Sequence, residues 1–417
     1  LRAVAVCLLV ATAAVAQDAD TYMRRAVAAY QAKDYPAYLD NMRHAAALRP
    51  NNPRLIYNLA SANALNGNAA EAVAGLARLG SMGLTMPAAK DSDFDALRTL
   101  PAFDHVVRRL DENAKPAGRA AIAFSLPGKG VVAEGLAYDA KTRTFYVGSM
   151  HLRRIYAVDA SGRARVFAEG IDALAGAFGM AVDARNRVLW VATSWMPQVT
   201  GCTPERDGKG GLVRFDLATG RVTGAFVVAD SRPHAISDLA IGPNGDVYAT
   251  DSKTPAIYRL RAGGSALEAV VDGEPFRSPQ GLSVARDGKR LYIADYSRGL
   301  FVVDLAGGKV AAVACPDTVC LSGIDGLAIA GGALIAVQNG IRPHRVVRMS
   351  LDRGGTSVTG CDVLAAALPE FDEPTLGVVV GGEFYFVASS GWRTIGDDGA
   401  LAPEGELRAP VVMKTGI

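Results

Sequence analysis

The chain has 417 residues, half of them apolar, with 45 glycines and a formal net charge of +2. This size and apolar content allow a large buried core, and the many glycines suit a fold with many turns. The basic residues are scattered along the chain and form no long run, which argues against nucleic acid as a partner.

The first residues have the pattern of a secretory signal. Arg2 precedes an apolar segment, residues 3–15, and the small residues Ala14 and Ala16 flank Val15. We expect cleavage after residue 16 and a periplasmic or secreted protein; the rival interpretation is a buried helix. The apolar segment is shorter than the ~20 residues that span a bilayer. No other apolar run approaches that length, so no membrane span is expected.

Residues 19–114 are predicted to form a small α-helical domain, because apolar and alanine positions recur there at helical spacing. The segment resembles tetratricopeptide repeats over two units, with a period of about 34 residues. The matching positions are Asp34, Tyr35, Ala45 and Pro50, then Tyr57, Ala60, Gly67 and Ala72. Two interpretations stay open, a groove for a protein partner or a helical cap docked on the rest of the chain. The polar segment 111–120 is predicted to be a linker.

Six copies of one hairpin pattern follow, each with a small residue before Leu or Met, an apolar strand, a polar turn and a second strand. The small residue or its counterpart recurs at intervals of 43 to 59 residues, at positions 135, 179, 238, 281, 326 and 376. This period predicts an all-β, six-bladed propeller over residues 119–417, with four strands in each blade. The final blade has one strong hairpin, so residues 120–126 are expected to complete its sheet.

One face of the predicted propeller gathers polar side chains. The first strand of a blade lies nearest the axis, and the second strand runs antiparallel to it. The starts of first strands and the ends of second strands therefore share a face. These positions hold Glu134, Phe178, Ser237, Gln280, Asp325 and Thr375, then His151, Ser194, Asp251, Asp295, Asn339 and Ser389.

All three propeller histidines, His151, His234 and His344, fall in loops of that face. Histidine titrates near neutrality and binds metals, so the grouping suggests ligand binding or proton transfer. The alternative is that each is an ordinary surface residue. No helical-domain residue belongs to the ring, and we therefore expect the helical domain to be separable from any chemistry at the axis.

The propeller part resembles the family of gluconolactonases, senescence marker protein and luciferin-regenerating enzyme, with paraoxonases and strictosidine synthase as remoter relatives. The resemblance rests on Glu134 in "AEGLAYD", Gln280 in "SPQGLSV", Asp325 in "GIDGLAI" and Ser237 in "ISDLAIG". It implies a divalent cation, calcium or zinc, held at the axis by Glu134, Gln280 and Asp325. The family has asparagine where this chain has Gln280 and Ser237.

The resemblance further implies a metal-dependent hydrolase of a small lactone or ester, with a small-molecule substrate in an axial pocket. Asp325, His234 and His344 are the candidates for catalysis. The candidates for substrate binding are Ser237, Asp238, His151, Asp295 and Asn339. The alternative is a non-catalytic propeller that binds a ligand or a partner, which the changes at Ser237 and Gln280 favour. Without a cation, two facing carboxylates would raise the pKa of at least one of them.

Four cysteines follow the predicted signal: Cys202, Cys315, Cys320 and Cys361. Cys315 and Cys320 are close enough in sequence to form a bridge, or they are two free buried thiols. None of the four has the close cysteine or histidine partner that a zinc site requires.

Overall fold

The computed structural model describes residues 18–417, so the predicted signal peptide, residues 1–16, lies outside the described residues. This part of the chain begins with five α-helices: α1 (Ala19–Gln31), α2 (Tyr35–Leu48), α3 (Pro53–Leu65), α4 (Ala69–Ser81) and α5 (Pro101–Asn113), with a 3-10 helix, Ser92–Leu97, before α5. Among residues 18–417, no helix is long and apolar enough to cross a membrane.

The first four helices form two similar hairpins. From the start of α1 at residue 19 to the start of α3 at residue 53 is 34 residues, and from α2 at 35 to α4 at 69 is again 34. The side chains of Asp18, Asp34 and Asn52 accept backbone N–H groups at the starts of α1, α2 and α3, which satisfies donors that a helix leaves unpaired. The spacing agrees with the expected period, while membership in the tetratricopeptide family stays a prediction.

The remaining described chain forms six antiparallel sheets and confirms the six-bladed β-propeller. The first three blades contain β3 (Ala133–Asp139), β4 (Thr144–Ser149), β5 (Arg154–Val158) and β6 (Ala164–Glu169); β7 (Gly176–Asp183), β8 (Val188–Ser194), β9 (Gly210–Asp216) and β10 (Val222–Val227); and β11 (Ile236–Ile241), β12 (Val247–Asp251), β13 (Ala256–Leu260) and β14 (Leu267–Asp272). Blades four and five contain β15 (Pro279–Val284), β16 (Arg290–Asp295), β17 (Gly299–Asp304) and β18 (Val310–Ala312), then β19 (Ile324–Ala330), β20 (Ala333–Gln338), β21 (Arg345–Leu351) and β22 (Val358–Ala366). The sixth contains β23 (Gly377–Val380), β24 (Glu383–Ser389) and β25 (Val411–Gly416).

Two strands from before the first blade complete the ring. β2 (Ala121–Ser125) pairs with β25, so the expected closure of the last blade is confirmed. β1 (Ala117–Gly118) pairs with the outer strand of blade five. The prediction of a linker over residues 111–120 is therefore wrong in part, because α5 continues to Asn113 and β1 joins a sheet. Pairing these strands covers edges that would otherwise be exposed.

Close approach of the innermost strands explains the glycine in the repeat. A Cβ on Gly135 would lie 1.9 Å from the Phe178 carbonyl oxygen, and one on Gly281 would lie 2.4 Å from the Asp325 carbonyl oxygen. Only a residue without a side chain fits at such distances. The third blade has Asp238 at this position.

The helical part docks on the propeller face where the first strands begin. The buried Arg345 donates to the Met82 carbonyl oxygen over 2.8 Å, and the Thr85 N–H donates to the Arg342 carbonyl over 2.9 Å. Cys320 and Ile341 of the propeller belong to the same hydrophobic cluster as the core of α3, α4 and α5. Removal of the helical part would expose this shared hydrophobic cluster. The structure therefore does not favour the expectation that the helical part can be separated from the propeller.

The four described cysteines are free thiols, so of the two alternatives for Cys315 and Cys320 the structure has the free thiols and not the bridge. Cys320 is buried against the helical part, and Cys315 accepts a hydrogen bond from Asn51. Both thiols therefore contribute to the contact between the two parts of the chain.

Candidate functional site

A cavity of about 210 Å³ opens at the propeller axis, on the face that carries the helical part. The lining residues come from all six blades and the loops between them: Glu134, Phe178, Met196, Ala235, Ile236, Ser237, Ser252, Gln280, Tyr296, Asp325, Asn339, Glu373 and Trp392. Six residues singled out from the sequence thus meet here, namely Glu134, Phe178, Ser237, Gln280, Asp325 and Asn339. None of the described lining residues is basic.

Glu134 is 8% exposed at the start of β3. Its Oε2 accepts a hydrogen bond from Trp392 Nε1 over 2.5 Å. Burial raises the pKa of Glu134 well above its ordinary value, and the nearby Asp325 charge raises it further, against the lowering effect of the Trp392 donor. This carboxyl group holds a proton readily unless a cation compensates its charge.

Asp325, at the start of β19, is 9% exposed. Its Oδ2 accepts from Asn339 Nδ2 over 2.6 Å, and the same nitrogen donates to the Pro374 carbonyl over 2.9 Å. The Asn339 Oδ1 atom is buried and has no hydrogen-bond partner among the described residues. Burial raises the pKa of Asp325 to about 7, although the bond from Asn339 opposes the shift. Asn339, Asp325 and Glu134 thus provide several hydrogen-bond acceptors, and the described residues do not supply a donor for each of them.

Two further acidic groups lie at or beside the cavity. Burial, followed by the charge of Asp372, raises the pKa of Glu373 at the rim. Burial raises the pKa of Asp238 to about 8, although the Leu239 and Leu282 N–H groups donate to its carboxylate. Asp238 is not among the lining residues. The axis therefore concentrates negative charge that the protein itself leaves uncompensated.

Ser237 and Gln280 both reach the cavity with acceptor oxygens. Ser237 Oγ donates to the Ala235 carbonyl over 3.0 Å and lies 2.8 Å from Ser252 Oγ. Gln280 Nε2 donates to Ser278 Oγ over 3.2 Å, and its carboxamide oxygen is the atom available to a ligand.

The histidines lie outside the cavity lining. His234 is 2% exposed, and its two ring nitrogens lie 2.6 Å from Asp251 Oδ2 and 2.8 Å from Asp230 Oδ1. Carboxylates on both sides fix this ring in place. The expected position of His234 on the cavity rim is therefore not observed, and its catalytic role stays a prediction.

The other predicted residues outside the lining also have partners of their own. His151 Nδ1 lies 2.6 Å from the Gln198 carbonyl oxygen. Burial, followed by the charge of the adjacent Arg342, lowers the pKa of His344 to about 4. Asp295 accepts the backbone N–H groups of the two loops beside it. Their roles in binding or catalysis remain predictions.

A one-residue offset explains which loop residues reach the cavity. Asp251 pairs with Ile236, Asp295 pairs with Pro279 and Gln338 pairs with Ile324. Asp251, Asp295 and Gln338 therefore occupy equivalent positions, at the end of the second strand of their hairpins. The residue after each of them lines the cavity: Ser252, Tyr296 and Asn339. The strict alternation of a strand could have revealed Ser252 and Tyr296. No sequence signal marked Glu373 or Trp392, which lie outside the repeated hairpins.

The donor set suits a hard cation. No group of three or more His, Cys, Asp or Glu side chains within residues 18–417 is arranged to hold a metal ion. Two residues with carboxyl groups, Glu134 and Asp325, do line the cavity together with two residues with carboxamide groups, Asn339 and Gln280. Calcium takes carboxylate, carboxamide and water oxygens, whereas zinc prefers histidine and cysteine. These residues therefore fit calcium better than zinc.

Comparisons with known proteins identify the fold. No protein-family model matches the chain, and no curated protein sequence is significantly similar to it. Among solved structures, a luciferin-regenerating enzyme is 16% identical over 73% of this chain and 96% of that chain, with a TM-score of 0.50.

Two bacterial structures have similar scores. The calcium-binding protein regucalcin from Agrobacterium tumefaciens is 16% identical over 71% of this chain and 96% of that chain, with a TM-score of 0.48. A gluconolactonase from Xanthomonas campestris is 17% identical over 72% of this chain and 98% of that chain, with a TM-score of 0.47. The similarity to the luciferin-regenerating enzyme agrees with the six-bladed propeller formed by the described chain, and at 16% identity it shows the fold alone.

Proposed function

We propose that the axial cavity hydrolyses a small lactone or ester with the help of a bound divalent cation. The observation that supports this best is the meeting of Glu134, Asp325 and Asn339, whose Oδ1 atom has no hydrogen-bond partner, around a cavity without a basic residue in its described lining. Such a set attracts a cation, and a cavity of about 210 Å³ suits a small molecule.

Glu134, Asp325, Asn339 and Gln280 would hold the cation, and calcium is the preferred candidate. When bound, the ion would supply Lewis acidity toward a carbonyl oxygen. Trp392 would keep Glu134 oriented through its N–H group. Asn339 would orient Asp325 in the same way.

Asp325 is the proposed general base. Without a cation the pKa of Asp325 is raised to about 7, and a bound cation would lower it, so Asp325 would be the carboxylate that can accept a proton at neutral pH. The carboxylate would take a proton from water as the water oxygen forms a bond to the carbonyl carbon. The carbon–oxygen bond of the lactone or ester would then break, and the proton would pass to the departing oxygen. Ser237, two blades away from Asp325, would offer its hydroxyl oxygen to the substrate as an acceptor.

A non-catalytic ligand-binding propeller is the second candidate. The observation that favours it is that three acidic, histidine or cysteine side chains do not converge as a metal site within the described chain. The histidines proposed as bases also lie outside the cavity lining. Under this alternative the cavity would bind a polar ligand without turning it over.

The test is hydrolysis of δ-valerolactone and glucono-δ-lactone, followed by proton release at constant pH. Protein stripped with a chelator is compared with protein supplied with calcium, manganese or zinc. We expect activity that the chelator removes and one of the cations restores. A parent protein that binds a cation but never hydrolyses a lactone or ester would support the binding alternative instead.

The matched variants are Asp325→Asn, in the cavity, and Asp287→Asn, in an exposed turn between β15 and β16. Both remove one negative charge, so equal activity in the two would contradict the proposal. Export and a protein partner on the helical part are proposed on the sequence pattern alone.

A further inference from the structure

A cleft of about 760 Å³ separates α1 and α3 from the loops of the propeller. Tyr296 lines both this cleft and the axial cavity, so the two spaces lie on either side of one side chain. Propeller residues in the cleft lie in the loops before β15 and β19 and after β16 and β20. These loops share the face on which the axial cavity opens.

The cleft carries the opposite charge to the cavity. Its lining has five arginines against three acidic residues: Arg24, Arg49, Arg54, Arg277 and Arg298 against Asp18, Asp20 and Glu274. The cavity lining has acidic residues and no basic one among those described. A molecule that spans both spaces would meet carboxylates at one end and guanidinium groups at the other.

Two of the arginines are already neutralised. Arg49 binds Asp20 with two hydrogen bonds of 2.8 and 3.1 Å. Arg298 donates to Glu274 over 2.5 Å. Arg24 donates to the Thr21 hydroxyl and lies near Asp18.

Arg54 and Arg277 have no such compensation. Both are exposed, and within residues 18–417 neither side chain forms an ion pair. One belongs to α3 and the other to the loop before β15, so they approach the cleft from its two walls. Asn52 Nδ2 donates to the Ser297 carbonyl across the cleft, which ties the start of α3 to the loop that follows Tyr296. The spacing of the two walls is therefore fixed by direct contacts.

We propose that this cleft binds the anionic end of the substrate whose lactone or ester group enters the axial cavity. The inference rests on the proposed function and extends it to a substrate class, small esters or lactones that carry a carboxylate or phosphate group. Guanidinium groups bind carboxylate and phosphate through paired N–H donors, which supplies the recognition. The helical part then forms one wall of the substrate site and determines specificity, although it contributes no side chain to the cavity.

Direct binding gives a test that does not depend on turnover. Glutarate and inorganic phosphate are titrated at low ionic strength, where exposed charges are least screened. The double variant Arg54→Gln with Arg277→Gln should bind glutarate or phosphate at least about 10-fold more weakly than the parent. The control, Arg185→Gln with Arg221→Gln, removes two exposed arginines from turns on the far face and should bind as the parent does. Equal binding by the two double variants would overturn the inference.

A kinetic comparison uses two esters of equal chain length, 4-nitrophenyl butyrate and 4-nitrophenyl hemisuccinate. The cleft variant should lose kcat/KM about 10-fold for the hemisuccinate and keep its value for the butyrate. If the cleft variant hydrolyses both esters with the same loss of kcat/KM, or with no loss, the cleft does not bind the anionic end of the substrate. The proposed hydrolase function would still stand. If neither ester is hydrolysed but glutarate binding still depends on Arg54 and Arg277, the cleft is supported as an anion site and the hydrolase proposal fails.

Discussion

The end of β16 and the axial cavity both contain buried carboxylates on the same face of the propeller, but the surroundings of these groups differ. Asp295 accepts four backbone N–H groups, from Arg277, Ser278, Ser297 and Arg298. Asp325 has one donor, Asn339, and Glu134 has one, Trp392. A carboxylate with several backbone donors is stabilised by the fold, whereas one with a single donor beside another carboxylate is not.

The number of hydrogen-bond donors distinguishes the acidic residues that are available for chemistry from those that hold the structure together. The Asp295 carboxylate pins two loops together, and its hydrogen-bonding capacity is used. The carboxyl groups of Glu134 and Asp325 can still accept further hydrogen bonds, but when both are charged they repel each other. Binding of a proton or a cation relieves this repulsion. Functional carboxylates are thus distinguished by their missing partners and not by burial alone.

Loss of the proposed base should have the largest effect. Asp325→Asn keeps the shape of the side chain but cannot take a proton from water, so kcat/KM for a lactone should fall by about 100- to 10,000-fold. Steady-state kinetics with saturating calcium measures this. Asp287→Asn should stay within about two-fold of the parent. Retained activity in Asp325→Asn would remove Asp325 from the mechanism.

Loss of the loop carboxylate should have the next largest effect, on stability. Asp295→Ala leaves four buried or half-buried backbone donors without their acceptor, so the free energy of unfolding should fall by about 3 kcal/mol. Denaturant unfolding gives the value. Asp304→Ala is the control, because Asp304 is exposed and accepts one backbone N–H, that of Ala306. A similar small change in both variants would contradict the structural role of Asp295.

Removal of a cavity carboxylate should change stability in the opposite direction. In chelator at pH 8, Glu134→Gln should increase the free energy of unfolding by about 1 kcal/mol, since one of two like charges is gone. The gain should disappear below about pH 4, where both the folded and the unfolded chain are protonated. Destabilisation at pH 8 would show that the two carboxylates do not repel each other.

The parent protein should show the corresponding dependence on pH. The pKa of Asp325 is raised from its ordinary 3.8 to about 7 in the folded chain. Between these values the folded chain keeps a proton that the unfolded chain has released, so this group makes stability fall as pH rises from about 4 to 7. Asp325→Asn should reduce that slope in chelator, as measured by thermal unfolding across the pH range. An unchanged slope would assign the dependence to other groups.

The Trp392 contact should have the smallest effect. Trp392→Phe removes the N–H that donates to Glu134, which raises the pKa of Glu134 further and favours its proton over a cation. Calcium affinity should fall about 3- to 10-fold at neutral pH, and the loss should become smaller as the pH rises, because fewer protons then compete with calcium for Glu134. Tyr385→Phe, which removes a hydroxyl donor to Glu383 far from the cavity, should not change calcium affinity.

The repeated hairpins could be predicted because four of the six, those with Gly135, Gly179, Gly281 and Gly326, carry the same physical constraint. The glycine of the repeat is required where neighbouring inner strands meet, as Gly135 and Gly281 show. That constraint fixes the register, and it placed Glu134, Gln280 and Asp325 at one axis. Closure by β2 followed from the missing outer strand of the last blade.

The rest depended on contacts that no repeat encodes. Trp392 reaches Glu134 from a segment without periodicity, and Glu373 lies before the last inner strand. The docking of the helices depends on single long-range contacts such as that of Arg345 with Met82. His234 was placed on the correct face, but the pairing of its ring with Asp251 and Asp230 is a tertiary feature.

The cation site at the propeller axis can be tested directly by calorimetric titration of calcium at pH 6.5, repeated in buffers of different ionisation enthalpy. The proposed site predicts one calcium per chain in the parent and release of protons on binding, because the pKa of Asp325, about 7 without a cation, leaves this group partly protonated at pH 6.5. Asp325→Asn and Glu134→Gln should lose the heat of binding, and Asp287→Asn should keep it. Absence of calcium binding in the parent, or equal binding with no proton release in all four proteins, would contradict a cation site at the axis.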